Sequence, residues 1–344
     1  MRLFFFSVLA FLIACSPEQT FENAICIENI TVIDPLDGAT EGQTVVIKDG
    51  KIHKIAPSTE LKLSSDNTVI DGAGKFMIPG LWDAHVHFAY MEEIAPRMFD
   101  LFMLYGITSV RDTGGRIELV SDYRKQSMSN PTTAPRVKIA GPLLDGMPNV
   151  YDGSDPGHPP LSVGLKTVED VNKKIDELNE AGVDLLKAYE MLTPEQFTAV
   201  IKKARELGLK VTGHVPLSMD VISASNGGLN SMEHLRIVEL SCASSADELL
   251  AQRGQMLKND KNLSGSELRS SMHEAQREPA VNNFSEEKAK EVIETLARNG
   301  TWQIPTLALN TLRAEQFMKQ PWWSESIQYL PDTTATKWQS IVDR

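Results

Sequence analysis

Five residues of the sequence could together bind metal ions, and the first two of them form a His-x-His pair. His85 and His87 lie in the apolar stretch Leu81–His87. Residues two apart on a β-strand point to the same face, so both imidazoles would project to one side, as two ligands of one ion do. A single His-x-His pair is weak evidence by itself, because such pairs are often structural or simply exposed.

Lys187, His214 and His234 strengthen this hypothesis because of where they occur. Each stands at the carboxyl end of a short, strand-like apolar stretch, and the intervals between them each have the length of one strand plus one helix. The carboxyl ends of parallel strands meet at one rim of an α/β barrel. We therefore expect the lysine and all four histidines to come together at that rim.

The elements that would position these residues alternate between strand and helix from about residue 80 onward, which indicates an α/β fold with a parallel sheet. Thr193–Gln196 is a clear helix start, with a capping threonine, a proline at the first position and a glutamine at the third. Residues 142–165 predict a long ordered loop over a site, and residues 241–284 predict an insertion of helices between two strands. The predicted strands are Leu81–His87, Gly106–Arg111, Arg136–Ala140, Val183–Ala188, Lys210–His214, Ser231–His234 and Trp302–Leu307.

These motifs, taken in order, resemble the amidohydrolase superfamily, in its branch of imidazolonepropionase-like and Xaa-Pro dipeptidase (prolidase)-like enzymes. The resemblance covers residue 24 to the end of the chain. It implies a TIM-like (β/α)8 metal-dependent hydrolase barrel with a small N-terminal β-sandwich domain. The segments that carry it are Pro79–His87, Gly106–Gly115, Asp184–Lys187, Thr212–Pro216, Glu233–His234 and Gly300–Leu307.

The resemblance also implies a centre of two divalent metal ions, with zinc as the expected metal. In the family, the first-strand histidines hold one ion and those of the fifth and sixth strands hold the other. This assigns His85 and His87 to the first ion, and His214 and His234 to the second. Lys187 would be carboxylated and bridge the two, because an ammonium has no lone pair and repels a cation. The alternative for Lys187 is a salt-bridged lysine inside the barrel.

The implied activity is hydrolysis of C–N bonds, amide or peptide-like, and the enzyme could be a dipeptidase. A hydroxide that bridges two such ions is nucleophilic at neutral pH and attacks an amide carbonyl. We expect a small peptide or an N-acyl amino acid as the substrate. The competing interpretation is a non-catalytic lipoprotein that binds a metal or a ligand on a degenerate amidohydrolase scaffold.

Three further residues are candidates for supporting roles. Asp112 closes the second strand and could support a metal ligand or simply cap the strand end. Tyr189 could donate a hydrogen bond to the substrate or pack as an aromatic ring at the rim. His158 lies on the long loop, where related enzymes carry a histidine that polarises the scissile carbonyl, although the surrounding sequence departs from their glycine-rich pattern. His53 and His273 lie outside the rim, and we expect ordinary surface residues there.

Composition and charge argue against other classes of protein. The chain has 344 residues, a formal net charge of −12 and 42% hydrophobic residues, which is enough for a globular core. Nucleic acid is not an expected partner, because its phosphates require a basic surface. Homo-oligomer formation stays open. Cys26 and Cys242 could pair in an oxidising compartment or remain two buried thiols.

The N-terminus predicts a bacterial lipoprotein. Residues 1–14 combine the positive Arg2 with an apolar run that is too short for a transmembrane helix and is typical of a signal peptide. Cys15 follows at once, as in a lipobox, so we expect acylation there, with residues 15–23 as a tether. The protein would then be anchored in the cell envelope, in the outer membrane facing the periplasm. A plain signal peptide with an incidental cysteine is the alternative.

The rest of the chain divides into a small β-domain at residues 24–78, half of a composite β-sandwich, and the barrel at residues 79–344. In the family, an aspartate at the end of the eighth strand binds the first ion and accepts a proton from the attacking water. The sequence after the seventh predicted strand contains no such strand. We therefore expect a C-terminally truncated fragment that lacks strand 8 and is inactive by itself.

Overall fold

The computed structural model describes residues 20–342, except for 155–156, 259–260, 310 and 312–318. The predicted signal peptide and Cys15 lie outside the described residues. Two compact units meet in sequence between Gly80 and Leu81. Among the described residues, none of the helices combines the length and the apolar character needed to cross a membrane.

The N-terminal unit is built on one five-stranded sheet of order β4-β3-β2-β6, in which β7 also pairs with β2. Strands β2 and β3 form an antiparallel hairpin, and Asp34 stabilises its turn by accepting the backbone N–H groups of Leu36 and Asp37. Strands β1 and β5 form a separate parallel pair, so these strands do not confirm the predicted sandwich. The strands are β1 (Thr20–Phe21), β2 (Ile25–Asp34), β3 (Gly38–Lys48), β4 (Lys51–Pro57), β5 (Lys62–Leu63), β6 (Thr68–Asp71) and β7 (Phe76–Met77).

The C-terminal unit has the predicted α/β fold. Its strands pair in parallel in two sheets, one of order β10-β9-β8 and one of order β12-β11-β13-β14-β15-β16. All seven predicted strands are present within one to three residues, and β11 and β12 are two additional strands inside the loop at residues 142–165. The strands are β8 (Leu81–Val86), β9 (Ile107–Asp112), β10 (Arg136–Ile139), β11 (Leu143–Asp145), β12 (Ser162–Gly164), β13 (Leu185–Ala188), β14 (Lys210–Gly213), β15 (Ser231–Glu233) and β16 (Trp302–Ile304).

Helices connect these strands and cover the sheet. The predicted capping box at Thr193–Gln196 is present, since each residue's side chain bonds the other's backbone N–H at the start of α4. The 241–284 segment is helical, as expected, and contains the whole of α7 and α8. The helices are α1 (Met98–Leu104), α2 (Ile117–Ser129), α3 (Val168–Glu180), α4 (Pro194–Glu206), α5 (Val221–Gly227), α6 (Val238–Ser241), α7 (Ala246–Met256), α8 (Gly265–Asn282) and α9 (Glu286–Asn299), followed by Trp323–Ser326 and Asp332–Val342.

The main core lies between the sheet and helices α3 and α4. Val171, Ile175 and Leu178 recur at helical spacing on one face of α3 and are buried in this core. Burying a side chain of this size stabilises the folded chain by roughly 1.5–3 kcal/mol, so the packed face fixes how α3 lies on the sheet. Because the helix faces hold the strands rigidly, the side chains at the strand ends are held in place as well.

The long loop and the helical insertion pack against each other. Gly265, the first residue of α8, lies so close to the loop that a Cβ atom there would be 2.3 Å from the carbonyl oxygen of Asn149. The loop is also tied down by Asp145, whose buried carboxylate accepts the backbone N–H groups of Val150 at 2.9 Å and Met191 at 2.7 Å. The insertion and the loop therefore form one continuous structure beside the strand ends.

Candidate metal centre

A cavity of about 550 Å³ opens at the carboxyl ends of the strands. It is lined by all five residues that the sequence predicts as metal ligands: His85, His87, Lys187, His214 and His234. They reach the cavity from the ends of β8, β13, β14 and β15, which are separated by whole helices in sequence but lie close together around the rim. The fold thus brings together the residues that the spacing predicted to meet.

The first pair of histidines points two ring nitrogens at each other. The Nε2 atoms of His85 and His87 are 3.1 Å apart. The Nδ1 atom of His85 lies 2.6 Å from Oε2 of Glu233, and Nδ1 of His87 lies 2.8 Å from the carbonyl oxygen of Gly114. The hydroxyl of Thr113 is also within 3.4 Å of Nε2 of His87.

The second pair is held in the same manner. The Nδ1 atom of His214 lies 2.5 Å from Oε1 of Glu190, and Nδ1 of His234 lies 2.7 Å from the hydroxyl of Thr306. The centres of the two rings are 5.0 Å apart, and the ring of His234 is 4.4 Å from that of His85. All four imidazoles are therefore fixed through Nδ1, which leaves Nε2 as the nitrogen available to a ligand in the cavity.

The partners at Nδ1 decide which nitrogen carries the proton. A carboxylate and a carbonyl oxygen only accept hydrogen bonds, so His85, His87 and His214 must each donate from Nδ1 and present a lone pair at Nε2. Two such lone pairs face each other in the His85–His87 pair at 3.1 Å. Their repulsion is relieved by a cation, and two nitrogens at this separation can both lie about 2.0–2.1 Å from one zinc ion. The paired histidines therefore fit a divalent metal.

Lys187 lines the same cavity as the four histidines. Its side chain is 1% exposed, and among the described residues its Nζ atom makes no hydrogen bond. Burial lowers the pKa of its ammonium to about 8. Burial and the nearby Lys187 charge also lower the pKa values of all four histidines, to about 3 for His87 and His214. An anionic carbamate on this nitrogen would replace the unfavourable charge with oxygen donors to a metal.

Glu233 is a functional residue that the sequence reasoning quoted within a motif but to which it gave no role. The carboxylate is fully buried and accepts hydrogen bonds from His85, from the hydroxyl of Thr212 and, at 2.8 Å, from the guanidinium of Arg111. Nζ of Lys187 lies 4.0 Å away. Burial alone would raise the pKa of Glu233, but the charge of Lys187 and the hydrogen bond from His85 hold it well below its ordinary value.

Glu190 plays the matching role for the second pair and was also missed. It is 1% exposed, holds His214, and faces Arg236, Arg269 and His273 at 3.9 Å each. Burial opposes its ionisation, but the hydrogen bonds and neighbouring positive charges hold its pKa well below the usual range. The signal available in the sequence was its position three residues after Lys187 at the end of a predicted strand.

Asp112, Tyr189 and His158, the three residues predicted to have supporting roles, each make different contacts. Asp112 is buried and accepts the backbone N–H groups of Phe88 and Gly114, so it fixes the loop whose carbonyl holds His87. Tyr189 lines the cavity, with its ring 4.4 Å from that of His214. His158 lies against Arg269, with its Nε2 atom 3.1 Å from the guanidinium.

The surface prediction for His273 is wrong. Its side chain is 12% exposed and faces Glu190, because α8 packs this histidine toward the site. His53, in contrast, is exposed as expected.

Cys26 and Cys242 are both buried and free.

Within the described part of the chain, no three His, Cys, Asp or Glu side chains are already arranged around one point to hold an ion. The four histidines and Lys187 line one cavity, in which the rings of His85 and His234 are 4.4 Å apart.

Comparison with known proteins gives sequence relatives of one superfamily, although no protein-family model matches the chain. The adenine deaminase of Desulforamulus reducens is 26% identical over 221 residues, which is 62% of this chain and 35% of the deaminase. The imidazolonepropionase of Vibrio cholerae is 35% identical over 111 residues, which is 31% of this chain and 25% of that enzyme. A dihydroorotase of Clostridioides difficile is 40% identical over 77 residues, covering 20% of this chain and 17% of the relative. The matches thus span about a third or less of each relative.

Solved structures agree on the fold. A prolidase complexed with N-methylphosphonate-L-proline has a TM-score of 0.55 at 17% identity, covering 81% of this chain and 77% of that one. A Xaa-Pro dipeptidase with bound methionine gives 0.55 at 18% identity, covering 81% and 78%. Phenylurea hydrolase B gives 0.54 at 18% identity, covering 82% and 80%. These sequence relatives all belong to the amidohydrolase superfamily, and the solved structures share the α/β fold of this chain.

Proposed function

We propose that this protein is a metal-dependent hydrolase of carbon–nitrogen bonds of the amide or peptide type. The observation that carries the proposal is the arrangement of the four histidines, each fixed through Nδ1 with Nε2 left to the cavity. Histidines that serve only to pack a core are not expected to direct unprotonated ring nitrogens in pairs into one cavity. The superfamily members among its relatives act on C–N bonds, which supports the same reaction class.

The proposed roles follow from the contacts. His85, His87, His214 and His234 would hold two divalent ions, with Lys187 between the pairs after carboxylation. Such ions supply an electrophile for the substrate carbonyl and an activated water.

The remaining side chains hold the site in shape. Glu233 and Glu190 keep the rings of His85 and His214 in the binding tautomer. Tyr189 places a buried hydroxyl next to the cavity, where it can donate to a substrate oxygen.

The substrate is proposed to be a small peptide or an N-acyl amino acid. A cavity of about 550 Å³ accommodates a ligand of that size and not a folded protein. Its wall includes the apolar side chains of Leu143 and Leu161 beside the polar centre, which suits an amino-acid side chain next to an amide. Prolidase structures with the same fold are consistent with a dipeptide substrate.

Metal removal tests the proposed function. The purified protein is expected to contain two divalent ions per chain by elemental analysis and to hydrolyse dipeptides or N-acyl amino acids. Dialysis against a chelator should abolish hydrolysis, and added Zn²⁺ should restore it. His53→Ala, a substitution at an exposed histidine in the N-terminal unit, serves as the control and should retain both metal and activity. Hydrolysis that survives complete metal removal would contradict the proposal.

We further propose that the protein is a lipoprotein anchored through Cys15 in the cell envelope, most simply the outer membrane facing the periplasm. Support comes from the apolar run of residues 1–14 and the cysteine that follows it. In cells fed a labelled fatty acid, the protein is expected to carry the label and to sediment with membranes. Cys15→Ser should lose the label, and an unlabelled wild-type protein would disprove the anchor.

A further inference from the structure

Helix α8 of the insertion turns a polar face toward the candidate metal centre. Arg269, His273 and Gln276 follow one another at positions i, i+4 and i+7, so they lie on one face of the helix. All three are largely shielded from water, whereas their neighbours Glu274 and Arg277 are exposed. Buried polar groups are normally hydrogen-bonded. Each group on this face therefore requires a partner within the protein.

Two members of this polar face are engaged away from the metal centre. Gln276 accepts a hydrogen bond from Nε of Arg253 at 2.8 Å, which anchors α8 on α7. The guanidinium of Arg269 lies 3.1 Å from Nε2 of His158 and 3.4 Å from the hydroxyl of Tyr189. The residue between them on the helix is thus held in place from both sides.

His273 is that residue, and its inner nitrogen is unsatisfied. The Nε2 atom is buried and makes no hydrogen bond to any described residue, and the same holds for Oε2 of Glu190. The two atoms face each other at 3.9 Å, about 1 Å beyond a normal N–H···O distance. The other oxygen of Glu190 is engaged by Nδ1 of His214. A donor and an acceptor that both lack a partner therefore lie next to a carboxylate that holds a predicted metal ligand.

The first histidine pair has the same arrangement in complete form. Glu233 accepts from His85 on Oε2, and on Oε1 it accepts from Arg111 at 2.8 Å and from the hydroxyl of Thr212. Both of its oxygens are satisfied by side chains of the strands or their ends. At Glu190 the matching second oxygen is unsatisfied, and the two donors that face it, at 3.9 Å each, both come from α8. The insertion thus stands where the strands support the first pair.

We propose that His273 is a positioning residue for the second histidine pair, which acts by donating from Nε2 to the free oxygen of Glu190. This inference rests on the proposed function, since it concerns how the proposed centre is held. A movement of the imidazole by about 1 Å, or one water between the two atoms, completes the contact. With hydrogen bonds on both oxygens, the carboxylate cannot turn away from His214 without breaking one of them. His214 then keeps its proton on Nδ1 and its lone pair on Nε2.

Titration of the metal-free protein with Co²⁺, followed by visible absorbance, tests the proposal. His273→Leu removes the donor at similar size, and it is expected to weaken the binding of one of the two ions by about 10- to 100-fold and to leave the other unchanged. His273→Gln, whose amide carries an N–H at a similar reach, should regain most of the affinity. Arg277→Gln changes an exposed residue of the same helix and should bind both ions as the wild type does. In a Glu190→Gln background, His273→Leu should have no further effect, because His273 acts through Glu190.

Nitrogen NMR of the metal-free protein separates failure of this proposal from failure of the proposed function, since it requires neither metal nor turnover. With all seven histidines labelled, His273 of the wild type is expected to carry a proton on Nε2, and His214 a proton on Nδ1. In His273→Leu, His214 should become a mixture of its two tautomers. If the wild type binds no metal, the proposed function fails while these spectra still decide the role of His273.

Several results would overturn the positioning role of His273. In the spectra, these are an unprotonated Nε2 on His273 of the wild type, or His214 signals that are the same in His273→Leu as in the wild type. In the titration, they are binding of both ions that is unchanged or equally weakened in His273→Leu, or an equal loss in His273→Gln. A loss that adds in full to that of Glu190→Gln would also contradict it, because His273 would then act by another route.

Discussion

Lys187→Ala is expected to reduce amide hydrolysis by about 10³-fold or more, since several kcal/mol of transition-state stabilisation depend on the metal ions that Lys187 would help to hold. Metal content should fall together with activity. The stability of the metal-free protein should change little, because the buried Lys187 ammonium makes no hydrogen bond to any described residue. Its contact with Glu233 is long, at 4.0 Å, and Glu233 keeps its closer partner Arg111 at 2.8 Å. Acetate or propionate should restore part of the activity by filling the space with a carboxylate.

This combination of outcomes separates the two interpretations of Lys187. A salt-bridged lysine predicts the opposite pattern, in which the metal-free Lys187→Ala protein loses about 3–5 kcal/mol of stability and short carboxylates have no effect. Urea unfolding of the chelator-treated protein measures the stability, and elemental analysis measures the metal. Lys210→Ala is the matched control, because Lys210 is an exposed lysine at the opposite end of a neighbouring strand. Full activity in Lys187→Ala would refute its proposed role.

Much of the C-terminal α/β unit was predictable because its strands and helices carry local signals. The capping box at Thr193 and the apolar face of α3 depend on residues three or four apart, and both occur where the sequence indicates. The convergence of His85, Lys187 and His214 was predictable for a different reason. Parallel strands place all their carboxyl ends at one rim, so a residue at a strand end is positioned by topology alone.

The partners that hold the histidines were not predictable in the same way. Glu233 meets His85 from a strand 148 positions away in sequence, and Glu190 meets His214 across two adjacent strand ends. Such contacts depend on the exact direction of each side chain, which neither spacing nor periodicity specifies. His273 was assigned to the surface for the same reason, since the sequence of α8 does not show which of its faces packs toward Glu190.

The insertion was predicted as helices but not as part of the site. Its polar composition and weak apolar periodicity are typical of a solvent-exposed segment. In the structure, Gln276 of the insertion is buried and bonds within it, accepting from Nε of Arg253 at 2.8 Å and donating to the carbonyl oxygen of Leu249 at 2.6 Å. Polar residues that satisfy one another inside the fold have the same sequence pattern as residues that face water, so only the structure distinguishes them.

Glu233→Gln is expected to lower the free energy of unfolding by about 3–5 kcal/mol, the usual effect of removing one member of a buried ion pair. The amide keeps the size of the side chain but removes the charge opposite Arg111 and Lys187, and it presents an N–H₂ group where donors already point. Only one oxygen remains to accept, so either His85 Nδ1 or the Arg111 and Thr212 donors would face an N–H₂ group. Metal affinity is therefore expected to fall by about 10- to 100-fold, as for other residues that orient a metal-binding histidine.

A double-mutant cycle shows whether the loss comes from the uncompensated charge. Arg111→Met removes the guanidinium that donates to Glu233 at 2.8 Å, so the double variant should lose less stability than the two single losses added together. Glu239→Gln is the control, since its carboxylate lies 3.8 Å from the exposed Arg277 and such surface pairs contribute about 0–1 kcal/mol. Urea unfolding of the chelator-treated proteins measures the stabilities of the wild type, the two single variants, the double variant and the control. Two outcomes would contradict the prediction: single losses of stability that add without coupling, or a loss in Glu233→Gln no larger than in the control. In either case Glu233 does not stabilise the centre, and it does not explain the fixed tautomer of His85.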